Sequence, residues 1–99
     1  MAKPVKEQPW SLYLIRCRDN SLYCGVTKDV GRRFAEHCAG GRRSARYVRG
    51  KAPLILVFQQ VIGSHSQALK VEYRLKRQSK NNKERLIAGT VSLAKLLKL

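Results

Sequence analysis

The rhythm of apolar and polar positions divides the chain into segments. In SLYLIRCRDNSLYCGVT, Ser11 to Thr27, two short apolar runs flank a polar break, the pattern of a β-hairpin. Parity selects its loop. A two-residue loop would put Tyr13 and Tyr23 on opposite faces. A three-residue loop, Arg18-Asp19-Asn20, puts them on one face, and Asn20 tolerates the left-handed conformation such loops require. In that register Leu14 opposes Cys24 and Leu12 opposes Val26, which makes one apolar face. Tyr13, Ile15, Tyr23 and Gly25 share the other, with Gly25 opposite Tyr13. The predicted strands cover 11–17 and 21–27.

The period then lengthens. Val30, Phe34 and Cys38 recur at i, i+4 and i+8, which predicts a helix over 29–39 with that stripe facing the core. Thr27 or Asp29 can cap its start, and Gly40-Gly41 ends it. The nearly continuous apolar run PLILVFQQVI suits a central strand with Pro53 at its entry. SQALKVEYRLKRQ predicts a second helix capped by Ser66, NNKERLIAG a short third and TVSLAKLLKL a fourth. The polar residues 1–9 form a lead-in, and 10–99 form one domain. The order β-β-α-β-α-α describes an α+β fold, a small three-stranded, mainly antiparallel sheet flanked by helices.

The chain has 99 residues with Lys+Arg 21 against Asp+Glu 6, a formal net charge of +15. Self-repulsion of that size opposes compaction, so an anionic partner is expected. Nucleic acid fits best, because neutralising phosphates releases counterions. The expected contacts are Arg42, Arg43, Arg46, Tyr47, Arg49 and Lys51 in the loop RRSARYVRGK, with Lys76 and Arg77 at the end of the second helix. The same runs also read as solvated faces. Tyr47 among them offers a ring for stacking on a base. No segment approaches the roughly 20 consecutive apolar residues of a membrane span. Cys17, Cys24 and Cys38 form an odd count without a CxxC pair, which fits free thiols in a reducing, cytoplasmic setting. Their irregular spacing argues against a zinc site completed by His37 or His65.

On the first helix Arg33 and His37 are one turn apart and project the same way, His37 at the edge of the apolar stripe. Projected as a helix, the second places Glu72 between Ala68 and Leu69, inside the apolar arc. A carboxylate there is costly unless paired or bound to metal. A salt bridge to Lys76 at i+4 is the plain alternative.

Together these residues resemble the GIY-YIG nuclease superfamily, in particular its small single-domain bacterial members, over about Trp10 to Leu86. SLY at 11–13 and YCG at 23–25 stand where the family has its two triplets. TKDVGRRFAEH resembles its first helix, with the arginine at Arg33 and the histidine at His37; ALKVEYRLK resembles the helix of its metal-binding glutamate, at Glu72. Ser11, Leu12 and Cys24 depart from the triplets but stay small or apolar. Asn81 and Asn82 lie downstream of Glu72, where many members have an asparagine.

The resemblance implies phosphodiester hydrolysis with one divalent ion, Mg²⁺ or Mn²⁺, held by Glu72. Arg33 would stabilise the phosphate, Tyr13 would act as a general base with its pKa depressed by nearby cations, Tyr23 would orient water or phosphate, and His37 would assist. Gly25 would leave room opposite Tyr13. The implied partner is DNA, branched or damaged, cut with low or structure-based specificity; a protein partner could supply the rest. A non-catalytic nucleic-acid-binding module on the same fold is the alternative, and an RNA-associated basic protein is a third reading.

Overall fold

The computed structural model describes residues 8–99; most of the polar lead-in, 1–7, lies outside the described residues. Three strands, β1 (Trp10–Arg16), β2 (Leu22–Thr27) and β3 (Ile55–Gly63), form one antiparallel sheet in the order β2-β1-β3. Four helices accompany them: α1 (Val30–Ala39), α2 (His65–Lys76), α3 (Lys80–Ala88) and α4 (Leu93–Leu97), with a 3₁₀ turn at Arg46–Val48 between α1 and β3.

The hairpin has the expected register. Leu12 pairs with Val26, Tyr13 with Gly25 and Leu14 with Cys24. Cys17 N–H donates to Ser21 O at 2.9 Å around the three-residue loop, and Asn20 takes the left-handed φ of 69°. Alternation then builds two cores. Leu12, Leu14 and Cys24 meet Val71 and Leu75 of α2, Leu86 of α3, and Leu93 and Leu97 of α4. Tyr13 and Ile15 meet Val30 and Phe34 of α1, with Tyr23, Leu54 and Leu56 beside them. The helices α1 and α2 thus cover opposite faces of the sheet.

Three expectations are corrected. PLILVFQQVI is not the central strand: β1 is central and β3 is an edge, with Ile55 and Val61 exposed. The buried β1 has partners on both sides, whereas β3 has only one; Leu56, Val57, Phe58 and Ile62 of β3 still pack against the two cores. In α1 the inward position is His37 rather than Cys38, which is exposed. At about 100° per residue, i+7 from Val30 falls about 20° from its direction and i+8 about 80° away. The cap of α2 is Ser64 rather than Ser66: Ser64 Oγ accepts from Gln67 N–H at 3.1 Å while Gln67 Oε1 accepts from Ser64 N–H at 2.9 Å, a reciprocal capping box. Asp29, of the two candidates, caps α1, accepting from Arg32 N–H at 3.1 Å.

Candidate active site

The α1 face of the hairpin assembles the site. Tyr13 is 1% exposed, and its phenol Oη lies 2.9 Å from His37 Nε2. Tyr23 joins them on the same side, its ring centroid 6.3 Å from that of Tyr13 and 5.4 Å, edge-on, from that of His37. Four sequence candidates, Tyr13, Tyr23, Arg33 and His37, therefore stand within one cluster. Gly25 faces Tyr13 across the ladder, where a Cβ would collide with the phenol oxygen.

Arg33 is held by its own helix and by the loop beyond it. Its Nη1 donates to Glu36 Oε1 at 3.0 Å and to the carbonyl of Arg43. Glu36 also faces Arg32 at 3.7 Å and Arg43 at 3.8 Å, and the hydrogen bond from Arg33 holds its carboxyl below the usual carboxylate range. His37 is 2% exposed, and the same loop reaches it: Ala45 N–H donates to His37 Nδ1 at 3.1 Å, and Ser44 Oγ donates to the His37 carbonyl at 3.3 Å.

Burial dominates the electrostatics. It raises the Tyr13 phenol above its ordinary value, reinforced by Tyr23 and opposed by the Arg33 guanidinium, which lies within hydrogen-bonding reach. The cationic depression expected for this phenol is therefore outweighed, and Tyr13 is protonated at neutral pH. Burial, aided by the positive Arg33, lowers His37, so the imidazole is neutral.

Glu72 lies elsewhere. It is on α2, across the sheet from Tyr13, at the boundary between buried Ala68 and exposed Leu69 and Tyr73. Its carboxylate pairs with Lys76 at 3.5 Å, the salt bridge that the i+4 spacing allows. With burial as the main cause, Glu72's charge helps push the Cys24 thiol up to about 12. The two sides communicate around the free edge of β2, where Tyr23, Cys24, Tyr47, Lys76 and Lys83 line a pocket of about 370 Å³.

The expected nucleic-acid contacts divide between surface and internal duty. Arg42, Arg43 and Arg46 are exposed on the loop. Arg49 instead folds it, donating from Nε to Ser44 O and from Nη2 to Arg42 O, both at 3.1 Å. Tyr47 is 46% exposed but stacks on Tyr23, and Lys51 Nζ sits 3.8 Å over its ring, so neighbours already contact the ring proposed for base stacking. Arg77 lies against Tyr73 and donates to its hydroxyl at 3.0 Å. Sequence reasoning missed Glu36, whose i+3 spacing from Arg33 was visible, and the Ala45 amide, which has no side-chain signature.

The GIY-YIG catalytic-domain profile matches residues 9–85, and the chain belongs to that family of nuclease domains, whose substrates are nucleic acids. Within it the chain is similar to the UPF0213 protein of Cronobacter sakazakii, 52% identical over 85 residues that cover 86% of this chain and 87% of that one. It is likewise similar to the UPF0213 protein YhbQ of Escherichia coli, 49% identical over 89 residues, 90% of this chain and 87% of that one. The solution NMR structure of the UPF0213 protein BH0048 from Bacillus halodurans has a TM-score of 0.52 at 33% identity, covering 88% of this chain and 90% of that one. That of the E. faecalis protein EF2693 has a TM-score of 0.56 at 28% identity, covering 86% and 88%. None of these names states a reaction.

Proposed function

We propose that the chain is a metal-dependent endonuclease that hydrolyses or nicks DNA with low or structure-based specificity. The observation that supports this best is the convergence of Tyr23, His37 and Arg33 around the buried phenol of Tyr13, opposite a glycine that keeps the space clear. Packing alone asks for none of those polar groups.

Each residue then has a role its chemistry allows. Arg33 keeps donors beyond those given to Glu36 and Arg43, and would fork onto the non-bridging oxygens where negative charge builds. Tyr23 would orient the phosphate or a water at the mouth of the edge pocket, with Lys76 and Lys83 attracting the phosphate from the far wall. Tyr13 would act as base only once ionised. No group of three or more His, Cys, Asp or Glu gathers among the described residues, so a divalent ion would have few protein ligands. Mg²⁺ suits that arrangement, since it commonly takes one or two carboxylates and completes its octahedron with water and phosphate. Glu72 fits as such a single hard ligand. When bound, Mg²⁺ or Mn²⁺ would supply charge neutralisation at the phosphate and acidify a water.

One observation favours the binding-module reading instead: Glu72 is paired to Lys76 on the far side of the sheet from a protonated Tyr13. Nicking of supercoiled plasmid with Mg²⁺ or Mn²⁺, against a chelator control, separates the two. Wild type should nick, and Glu72→Ala should bind as well or better yet not cut. Glu72→Ala cutting like wild type would end the metal assignment, and wild type that binds without nicking would leave the binding module. Competition by RNA against DNA tests the choice of nucleic acid.

A further inference from the structure

Both ring nitrogens of His37 are engaged, and one placement of its proton satisfies both. A peptide N–H can only donate, and that of Ala45 lies 3.1 Å from His37 Nδ1. A ring nitrogen carrying a proton cannot accept it. The neutral imidazole therefore carries its proton on Nε2, 2.9 Å from Tyr13 Oη. We propose that the Ala45 peptide N–H locks His37 in the Nε2–H tautomer, so that the imidazole donates to the Tyr13 oxygen and cannot receive the phenol's proton. This deepens the nuclease reading, on which its catalytic meaning rests; the lock itself does not depend on it.

The segment that carries the amide is built to hold it in place. Ser44 is 3% exposed and donates to the His37 carbonyl, while Arg49 Nε donates to the Ser44 carbonyl at 3.1 Å. The titratable and charged groups facing His37 are Tyr13 from β1, Tyr23 from β2, and Arg33 and Glu36 from α1. Burial and Arg33 keep the ring neutral against the weaker opposing pull of Glu36, the state in which the tautomer matters.

The proton balance follows. His37 N–H donates to Tyr13 Oη, and the positive charge of Arg33 nearby favours the ionised phenol. When Tyr13 ionises, its O–H bond breaks and the proton passes to water rather than to His37. The phenolate so formed keeps the His37 donor and the nearby Arg33 charge, and gains a free lone pair for the nucleophilic water. His37 is thus a positioning residue that stabilises a phenolate, not a relay base.

Long-range ¹H–¹⁵N correlation spectra of the full chain, ¹⁵N-labelled at histidine and recorded above the imidazole titration, read this directly. The expected result is a protonated Nε2 and an unprotonated Nδ1 at His37. A protonated Nδ1, or averaging between the two forms, overturns the proposal. Neither metal nor DNA is needed, so a chain that fails to cut leaves this reading standing. Ala45→Pro deletes the N–H at a residue whose φ of −60° a proline ring already matches, and Ala45→Ser keeps it. The proline variant should release the tautomers to exchange while the serine variant holds them; an unchanged spectrum in Ala45→Pro overturns the lock. Should that variant not fold, the wild-type spectrum still decides. In plasmid nicking, His37→Gln keeps a donor but no base, and its loss of rate should be at least about tenfold smaller than that of His37→Ala. Equal losses overturn the donor role.

Discussion

A Cβ added to Gly25 would run into Oη and Cζ of Tyr13 and lie 3.0 Å from Cε1. The contact is to a ring only 1% exposed and packed in the core, so the ring has little room to yield. Gly25→Ala should cost about 1–3 kcal/mol by overpacking, read as a lower urea midpoint. An unchanged midpoint would mean that the phenol swings clear. His37 couples stability to pH. Its folded pKa lies below the ordinary 6.5, so between the two values the unfolded chain binds more protons. Stability is therefore complete above about pH 6.5 and declines as pH falls below it, a decline that His37→Gln should reduce in urea titrations at stepped pH. Both residues were legible as candidates, Gly25 because parity set it opposite Tyr13. The depth of His37 was not, since burial depends on the loop that folds over it.

At the scale of elements, what was readable depended on how many independent signals agreed. The hairpin carried three: alternation, a loop residue tolerant of positive φ, and a single register that sets Leu12 opposite Val26 and Leu14 opposite Cys24 on one apolar face. They converged on the observed pairing. For β3 a nearly unbroken apolar run fits a central or an edge position, and only pairing decides. For α2 the cap was expected at Ser66, but Ser64 is the serine with a glutamine three residues on to close the capping box. Ser64→Ala should cost about 0.5–2 kcal/mol while Ser66→Ala changes stability far less, a contrast that paired urea curves would show. Glu72 illustrates the opposite case: the helical projection read correctly which neighbours it has, but not that Leu69 and Tyr73 on that arc stay exposed.

For the whole molecule the governing quantity is the net charge of +15, which no internal pairing absorbs. Some of the arginines are nonetheless spent inside the fold: Arg33 on Glu36, Arg16 on Glu84 at 2.6 Å, Arg49 on its own loop. On the proposed reading, the loop arginines that remain on the surface would carry a salt-dependent interaction with phosphates. Replacing Arg42, Arg43 and Arg46 by glutamate should weaken DNA binding and flatten the plot of log affinity against log salt by about 0.9 for each phosphate no longer neutralised. A slope equal to that of wild type would place the nucleic-acid path on another face.

The linear chain determined whatever depends on neighbours near in sequence: the strand and helix periods, the hairpin register, the surplus of positive charge and the spacing of Arg33 and His37. Tertiary structure decided what depends on contacts between distant segments. It made β1 the central strand, set Glu72 across the sheet from the phenols, and brought the Ala45 amide onto His37. The reason is physical: local periodicity follows from backbone geometry within a few residues, whereas burial, ion pairing and a proton's position follow from which surfaces meet once the chain has closed on itself.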